Sequence, residues 1–202
     1  MKKKVSLLLN LLIVILEIIG FIISTNVNKR IAIEYYTEDS NILALASSLL
    51  FVIFLLSKNK IPRWLQLFKY MTTICLTVTF LVVLFILGPM LEFNYGWLFL
   101  SNGLLFQHLL CPILSIIVFI YFDDICFKKR DSIRGLYLTI IYATIIIILN
   151  ILKIIKGPYP FLYIYEQPIY MSIIWAILIP GFAFIISVVL KNLYVKIRKI
   201  PN

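Results

Sequence analysis

Residues 102–122 read NGLLFQHLLCPILSIIVFIYF, an apolar run long enough to cross a lipid bilayer as a helix of about 20 residues. The run contains His108, the only histidine of the chain. An ionisable side chain inside a membrane is costly, and such residues usually face a bundle interior and mark a functional site. Pro112 follows four positions later and has no N–H for the carbonyl of His108, which predicts a kink. The stretch therefore predicts a membrane-spanning fold with a site at His108.

The rest of the chain repeats this apolar pattern. Hydrophobic residues make up 62% of its 202 residues and the mean hydropathy is +1.03, whereas soluble domains are closer to half apolar. The excess falls in six blocks, each close to the length of one bilayer crossing. The blocks are 5–25, 40–57, 70–88, 102–122, 135–153 and 169–190. The sequence predicts an all-α polytopic membrane protein with six transmembrane helices, in which residues 1–202 form one integral membrane domain.

Basic residues are distributed unevenly between the predicted loops. The net charge is +10, and fifteen of the nineteen Lys and Arg residues fall on one predicted side of the membrane. These fifteen are Lys2, Lys3, Lys4, Lys58, Lys60, Arg63, Lys69, Lys128, Lys129, Arg130, Arg134, Lys191, Lys196, Arg198 and Lys199. Because cytoplasmic loops are enriched in Lys and Arg, we expect a multi-pass protein of the cell membrane with both termini in the cytoplasm. The same distribution argues against a nucleic-acid partner.

No motif indicates a metal or another cofactor. The HExxH and GxSxG patterns are absent from the sequence, and the spacing of Cys75, Cys111 and Cys126 matches no zinc motif. We expect all three cysteines to be buried apolar side chains. Asp123 and Asp124 fall at the predicted cytoplasmic edge of the fourth helix, far from His108. We interpret them as an interfacial charge pair beside the basic residues 128–130.

Polar residues recur on one face of the fourth predicted helix. Ser101, His108 and Ser115 are seven residues apart, and Cys111 lies three residues after His108. Residues at these spacings share a helical face, so this face should point into the bundle. In one interpretation His108 binds a partner or a substrate. In the other it forms a structural hydrogen bond to a neighbouring helix.

The entry to the second predicted helix offers a hydroxyl partner for His108. Residues 35–41 read YYTEDSN, and topology places Thr37 on the same outer side of the membrane as His108. A hydroxyl beside a histidine base is the minimum for nucleophilic acyl transfer. The alternative is that Thr37 is a helix N-cap, an interpretation that applies equally to Asp39 and Ser40. Asn41 begins a polar stripe and should face the bundle.

Four short motifs occur in an order that matches a known family. They are Tyr35-Tyr36-Thr37 with Ser40-Asn41, His108-x-x-x-Pro112, Tyr121-Phe122-Asp123 and Pro158-Tyr159-Pro160-Phe161. Together with the six predicted spans they resemble the androgen-induced gene and androgen-dependent TFPI-regulating protein family and its six-span bacterial relatives. The resemblance covers nearly the whole chain. It implies an integral membrane threonine hydrolase acting on fatty-acid esters of hydroxy fatty acids, with Thr37 as nucleophile and His108 as base.

This hypothesis assigns further roles around the pair. Candidates for stabilising an oxyanion are the N–H groups of Glu38 and Asp39 and the side chain of Asn41, supported by Ser40. Residues expected to bind the lipid substrate are Tyr36, Ser101, Cys111, Ser115 and Tyr159. Arg30, Lys153 or Lys156 can hold a substrate carboxylate. The alternative function is a small membrane transporter or lipid-binding protein in which His108 binds or gates, and a purely structural membrane protein is the third interpretation.

Overall fold

The computed structural model describes residues 2–199, and within that range every regular element is helical. Five helical stretches are long and apolar enough to cross a membrane. The fourth predicted block forms a shorter apolar helix, Leu105–Tyr121. In chain order the elements are α1 (Lys2–Asn28), α2 (Tyr36–Leu56), α3 (Arg63–Met90), α4 (Tyr95–Leu100), α5 (Leu105–Tyr121), α6 (Asp131–Arg134), α7 (Tyr137–Ile151) and α8 (Ile169–Arg198). The all-helical class and several apolar membrane-length helices are confirmed.

The third helix begins earlier than the sequence predicts. Pro62 is its N-cap residue, and the first turn already buries Leu65 completely. Proline suits a helix start because its fixed φ fits the first turn and its missing N–H is not needed there. Lys69, which we expected in a cytoplasmic loop, therefore lies inside the helix and is only 1% exposed. That placement of Lys69 was wrong.

The fifth helix contains the irregularity predicted at Pro112. Leu105–Leu110 is π-helical and Cys111–Tyr121 is α-helical. Because Pro112 has no N–H, the ordinary bond to the carbonyl of His108 cannot form, and the preceding turn adopts the wider π geometry instead. Such π turns are frequent at functional sites. In this protein the π turn includes both Gln107 and His108.

Two glycines bring α1 and the start of α5 into backbone contact. Gly103 has φ +88°, and a Cβ at this position would lie 2.7 Å from the carbonyl oxygen of Gly20. A Cβ at Gly20 would lie 2.9 Å from Cβ of Phe106. Only glycine is free of steric cost at such a φ. This contact fixes the π turn that carries His108 against α1.

Both ends of the chain lie at the same end of the bundle. Asp123, which follows α5, accepts a hydrogen bond at 2.6 Å from Ser6 near the start of α1. Its backbone carbonyl accepts hydrogen bonds from Tyr194 and Arg198 near the end of α8. Tyr70, Phe119 and Phe127 pack around Tyr194 and close this end.

Candidate functional site

Thr37 lies in the first turn of α2 and faces a small enclosed cavity. The residue is 9% exposed, and its backbone N–H donates to the Tyr159 hydroxyl at 3.4 Å. The cavity has a volume of about 70 Å³ and is lined almost entirely by apolar side chains, among them Val78, Val82 and Trp175. The N-cap position belongs to Tyr35, whose side chain makes no capping bond. The N-cap interpretation of Thr37, Asp39 and Ser40 is therefore wrong, and Thr37 points into an apolar site instead.

Tyr159 is the polar group nearest to Thr37 outside α2. Its ring stacks on Phe161 with 5.2 Å between the centroids. Burial raises the pKa of Tyr159 to about 12, although contacts with Thr37 oppose this effect. The hydroxyl is therefore protonated at neutral pH, and it can donate a hydrogen bond while accepting the one from Thr37.

His108 has a defined tautomer. Its Nδ1 lies 2.6 Å from the carbonyl oxygen of Leu98, and because a carbonyl only accepts, Nδ1–H must be the donor. The lone pair is then on Nε2. The ring is 6% exposed and meets Phe99 edge to face. A neutral imidazole in this tautomer can accept a proton at Nε2.

Asn41 joins the first turn of α2 to the π turn of α5. Its Nδ2 donates to the carbonyl oxygen of Thr37 at 2.7 Å and to that of Gln107 at 3.3 Å. Two residues from distant parts of the sequence, Thr37 and the neighbour of His108, thus contact one side chain. Within residues 2–199 no hydrogen bond joins the Thr37 hydroxyl to His108, and His108 does not line the cavity of Thr37.

Most of the groups expected to stabilise an oxyanion already make other hydrogen bonds. The N–H of Asp39 donates to the Tyr35 carbonyl at 3.2 Å, and the amide of Asn41 donates to the carbonyls of Thr37 and Gln107. Ser40 donates to the Thr37 carbonyl at 2.9 Å. The side chain of Glu38 accepts from Ser24 and Gln107. In the part of the chain that the structure describes, the Glu38 N–H has no acceptor, which leaves it and the Tyr159 hydroxyl as donors for an oxyanion.

The polar face predicted for the fourth helix is not continuous. Ser101 precedes the helix and donates to the Trp97 carbonyl at 2.6 Å, so it does not share a face with His108. The prediction failed because α5 begins only at Leu105 and because a π turn does not keep the angular spacing of an α-helix. Ser115 does face the bundle, where it pairs with Thr73 at 3.2 Å. Cys111 is fully buried.

A larger groove runs along α2 and α7, next to the cavity. Its volume is about 1000 Å³, and isoleucines and leucines line most of it. Arg30, Glu34 and Lys156 lie at its outer end. Tyr36 and Tyr142 line both spaces, and their rings meet at 5.0 Å, so this pair separates the groove from the cavity of Thr37. The Tyr36 hydroxyl also pairs with Thr139 at 2.7 Å.

Charged residues are buried inside the bundle, and the sequence analysis did not predict this for Glu17, Lys69 or Asp123. Glu17 of α1 and Asp123 are both 0% exposed, and Lys69 of α3 donates to Ser48 at 2.7 Å. Burial raises the pKa of Asp123, while Lys69 and the hydrogen bonds to its carboxylate oppose the effect. Asp123 is therefore not part of an interfacial pair beside residues 128–130. Only Asp124 is exposed, and it lies 3.5 Å from Arg198.

The cysteines and acidic residues do not form a metal site in the described range. Among residues 2–199 no group of three or more His, Cys, Asp or Glu side chains is arranged to hold a metal ion. Cys75 and Cys111 are buried, but Cys126 is exposed, contrary to expectation.

Comparison of the chain with protein-family models, curated proteins and solved structures finds no match. The family resemblance of the short motifs therefore stays a prediction, and the function must be argued from the site itself.

Proposed function

We propose that the protein is a membrane-embedded hydrolase of fatty-acid esters, with Thr37 as nucleophile and His108 as general base. The observation that carries the proposal is the bridge made by Asn41. It ties the backbone of Thr37 to the π turn of His108. The tautomer of His108 leaves Nε2 free to accept a proton, and Thr37 faces an apolar space. These are the parts that nucleophilic acyl transfer requires.

The reaction proceeds in two acyl-transfer steps. Nε2 of His108 takes the proton from Oγ of Thr37, and the oxygen attacks the ester carbonyl carbon. The Tyr159 hydroxyl and the Glu38 N–H donate to the oxyanion, and the alcohol departs with the proton from His108. Water, deprotonated by the same nitrogen, then cleaves the acyl-threonine and releases the acid. Catalytic hydrogen bonds are often long before substrate binds, so we expect Thr37 and His108 to approach each other only around the ester.

The groove along α2 and α7 supports a substrate with a long acyl chain. A volume of about 1000 Å³ accommodates a lipid tail, and its apolar walls face the bilayer. Separation of Tyr36 from Tyr142 would admit the ester carbonyl to Thr37. Arg30 and Lys156 at the outer end can hold a carboxylate, because their pairs with Glu34 and Glu166 are solvent-exposed and weak.

The topology proposed with this function has six crossings of the cell membrane and cytoplasmic termini. The start of α1 and the end of α8 lie at one end of the bundle, which supports an even number of crossings. The five long helices therefore need α5 as the sixth, and its length is at the lower limit of about 17 residues for a crossing. The positive-inside rule places the end with Lys2–Lys4 and Arg198 in the cytoplasm.

The test is hydrolysis of a fatty-acid ester of a hydroxy fatty acid by the purified protein in liposomes. We expect Thr37→Val and His108→Ala each to lower kcat/KM by roughly 10²-fold or more, and Thr37→Ser to retain activity. Thr77→Val is the matched control, because Thr77 is a buried threonine of α3 whose hydroxyl donates to the Thr73 carbonyl and which does not line the cavity of Thr37. Equal activity of the wild type and the Thr37→Val variant would refute the assignment.

A further inference from the structure

A second set of polar side chains runs along α1, separate from Thr37 and the cavity. Ser6, Asn10, Glu17 and Ser24 are buried and lie on one face of the helix. The distance along the axis from Ser6 to Ser24 is about 27 Å at 1.5 Å per residue. The hydrocarbon core of a bilayer is about 30 Å thick. The polar face of α1 therefore extends across most of a membrane.

A carboxylate lies at each end of this face. At the outer end Ser24 donates to Glu38 at 3.1 Å, and Gln107 donates to the second oxygen of Glu38 at 3.3 Å. At the cytoplasmic end Ser6 and Asn10 donate to one oxygen of Asp123, at 2.6 and 2.9 Å. Glu17 lies between the two ends, fully buried. The three acidic residues and the face of α1 form one series, which we name the α1 polar column.

The α1 polar column has fewer hydrogen-bond donors than acceptors. Four side-chain oxygens of the column have no hydrogen-bond partner within reach among the described residues: Oδ1 of Asn10, both carboxylate oxygens of Glu17 and Oδ2 of Asp123. Oε1 of Gln107, whose amide nitrogen donates to Glu38, also has none. The amide nitrogens of Asn10 and Gln107 are already bonded, so rotating the amides does not remove the shortage. Buried acceptors are normally satisfied, and a proton is the smallest donor that satisfies them.

Glu17 lies at the middle of the column and is fully buried. The titratable groups that face it are Cys111 of α5, Lys69 of α3 and Glu38 of α2. Lys69 donates to Ser48 and lies over the ring of Phe51, and Glu17 forms no ion pair among the described residues. The Cys111 thiol beside it is only a weak donor, and a buried carboxylate with no stronger donor is very unfavourable. Binding a proton removes the charge and supplies one donor for the column.

We propose that the α1 polar column conducts protons across the membrane and that Glu17 is its central proton-binding group. A proton from the outer side passes through Glu38 to one carboxylate oxygen of Glu17, forming an O–H bond there. It leaves past Asn10, carried by water molecules that enter the column from the cytoplasmic end, to the free oxygen of Asp123, which releases it to the cytoplasm. The net change is the transfer of one H⁺, driven by the pH gradient or the membrane potential. Neither Thr37 nor His108 takes part.

The test is proton flux into liposomes that contain the full-length protein and an enclosed pH-sensitive dye, with the membrane potential set by potassium and valinomycin. We expect flux above that of empty liposomes for the wild type and for Glu92→Gln, a control at an exposed loop glutamate. We expect Glu17→Gln to reduce flux to the level of empty liposomes. Glutamine keeps the size of the protonated acid, so this variant should fold. Flux in Glu17→Gln equal to the wild type, or no flux in the wild type, would overturn the proposal.

Infrared spectroscopy of the same samples tests the proton site directly. The wild type should show a carbonyl band of a protonated carboxyl group that shifts in D₂O and is missing from Glu17→Gln. A band that is unchanged in that variant would contradict the assignment to Glu17.

Discussion

Substitution of Gly103 by alanine tests the contact that positions the π turn of His108. The new Cβ would lie 2.7 Å from the Gly20 carbonyl oxygen and 3.2 Å from the Ser24 nitrogen, and both are backbone atoms that cannot rotate away. The left-handed φ costs an alanine about 1–2 kcal/mol, and overpacking adds about 1–3 kcal/mol. A destabilisation of about 3 kcal/mol corresponds to a Tm lowered by roughly 6–12 °C for a chain of this size.

Thermal unfolding in detergent, followed with a thiol-reactive dye, measures this shift. The dye reports unfolding because Cys75 and Cys111 are buried, while exposed Cys126 contributes a constant baseline. Gly181→Ala is the matched control, since a Cβ there meets nothing within 4 Å, and we expect its Tm to stay equal or rise. If Gly103→Ala melts at the wild-type temperature, α1 and α5 are not in backbone contact and the placement of His108 is incorrect.

Substitutions at three further residues test other parts of the structure. Because the pKa of Tyr159 is raised to about 12, its contribution to stability is complete below the unfolded value near pH 10 and is lost as the pH rises towards 12. Between pH 10 and 12 the free energy of unfolding, measured by chemical denaturation, should therefore fall by about 2–3 kcal/mol less in Tyr159→Phe than in the wild type. An equal fall in both proteins would contradict this. Asp131→Ala should cost about 3 kcal/mol, because the buried carboxylate accepts from Arg63 and from the Lys128 N–H. Asp124→Ala, at an exposed pair, should cost less than about 1 kcal/mol, and similar Tm values for both variants would refute the difference in burial.

Hydrophobic block length was sufficient to predict most of the helices. Each predicted block coincides with an observed helix, because about 20 consecutive apolar residues leave few alternatives to a helix in lipid. Helix boundaries were less predictable. Lys69 was predicted to lie in a loop because the third apolar block begins at residue 70, but a hydroxyl from Ser48 and neighbouring acidic groups make its burial in the helix possible.

The α1 polar column could not be predicted from the average composition of the first apolar block. The first block has a high mean hydropathy, and its few polar residues change this average little. Their spacing at positions 6, 10, 17 and 24 is helical and was present in the sequence. The burial of Asp123 could not be predicted in this way, because it depends on α1 and α8 meeting at the end of α5. The connection of Thr37 to Gln107 through Asn41 is likewise a tertiary contact that no local pattern specifies.

Covalent labelling with a long-chain alkyl fluorophosphonate tests the proposed threonine hydrolase most directly. We predict that mass spectrometry finds the adduct on the peptide that contains Thr37. Labelling should be lost in Thr37→Val, strongly reduced in His108→Ala and unchanged in Thr77→Val. Labelling of the wild type at another residue, or undiminished labelling of Thr37 in the His108→Ala variant, would contradict the roles of nucleophile and base.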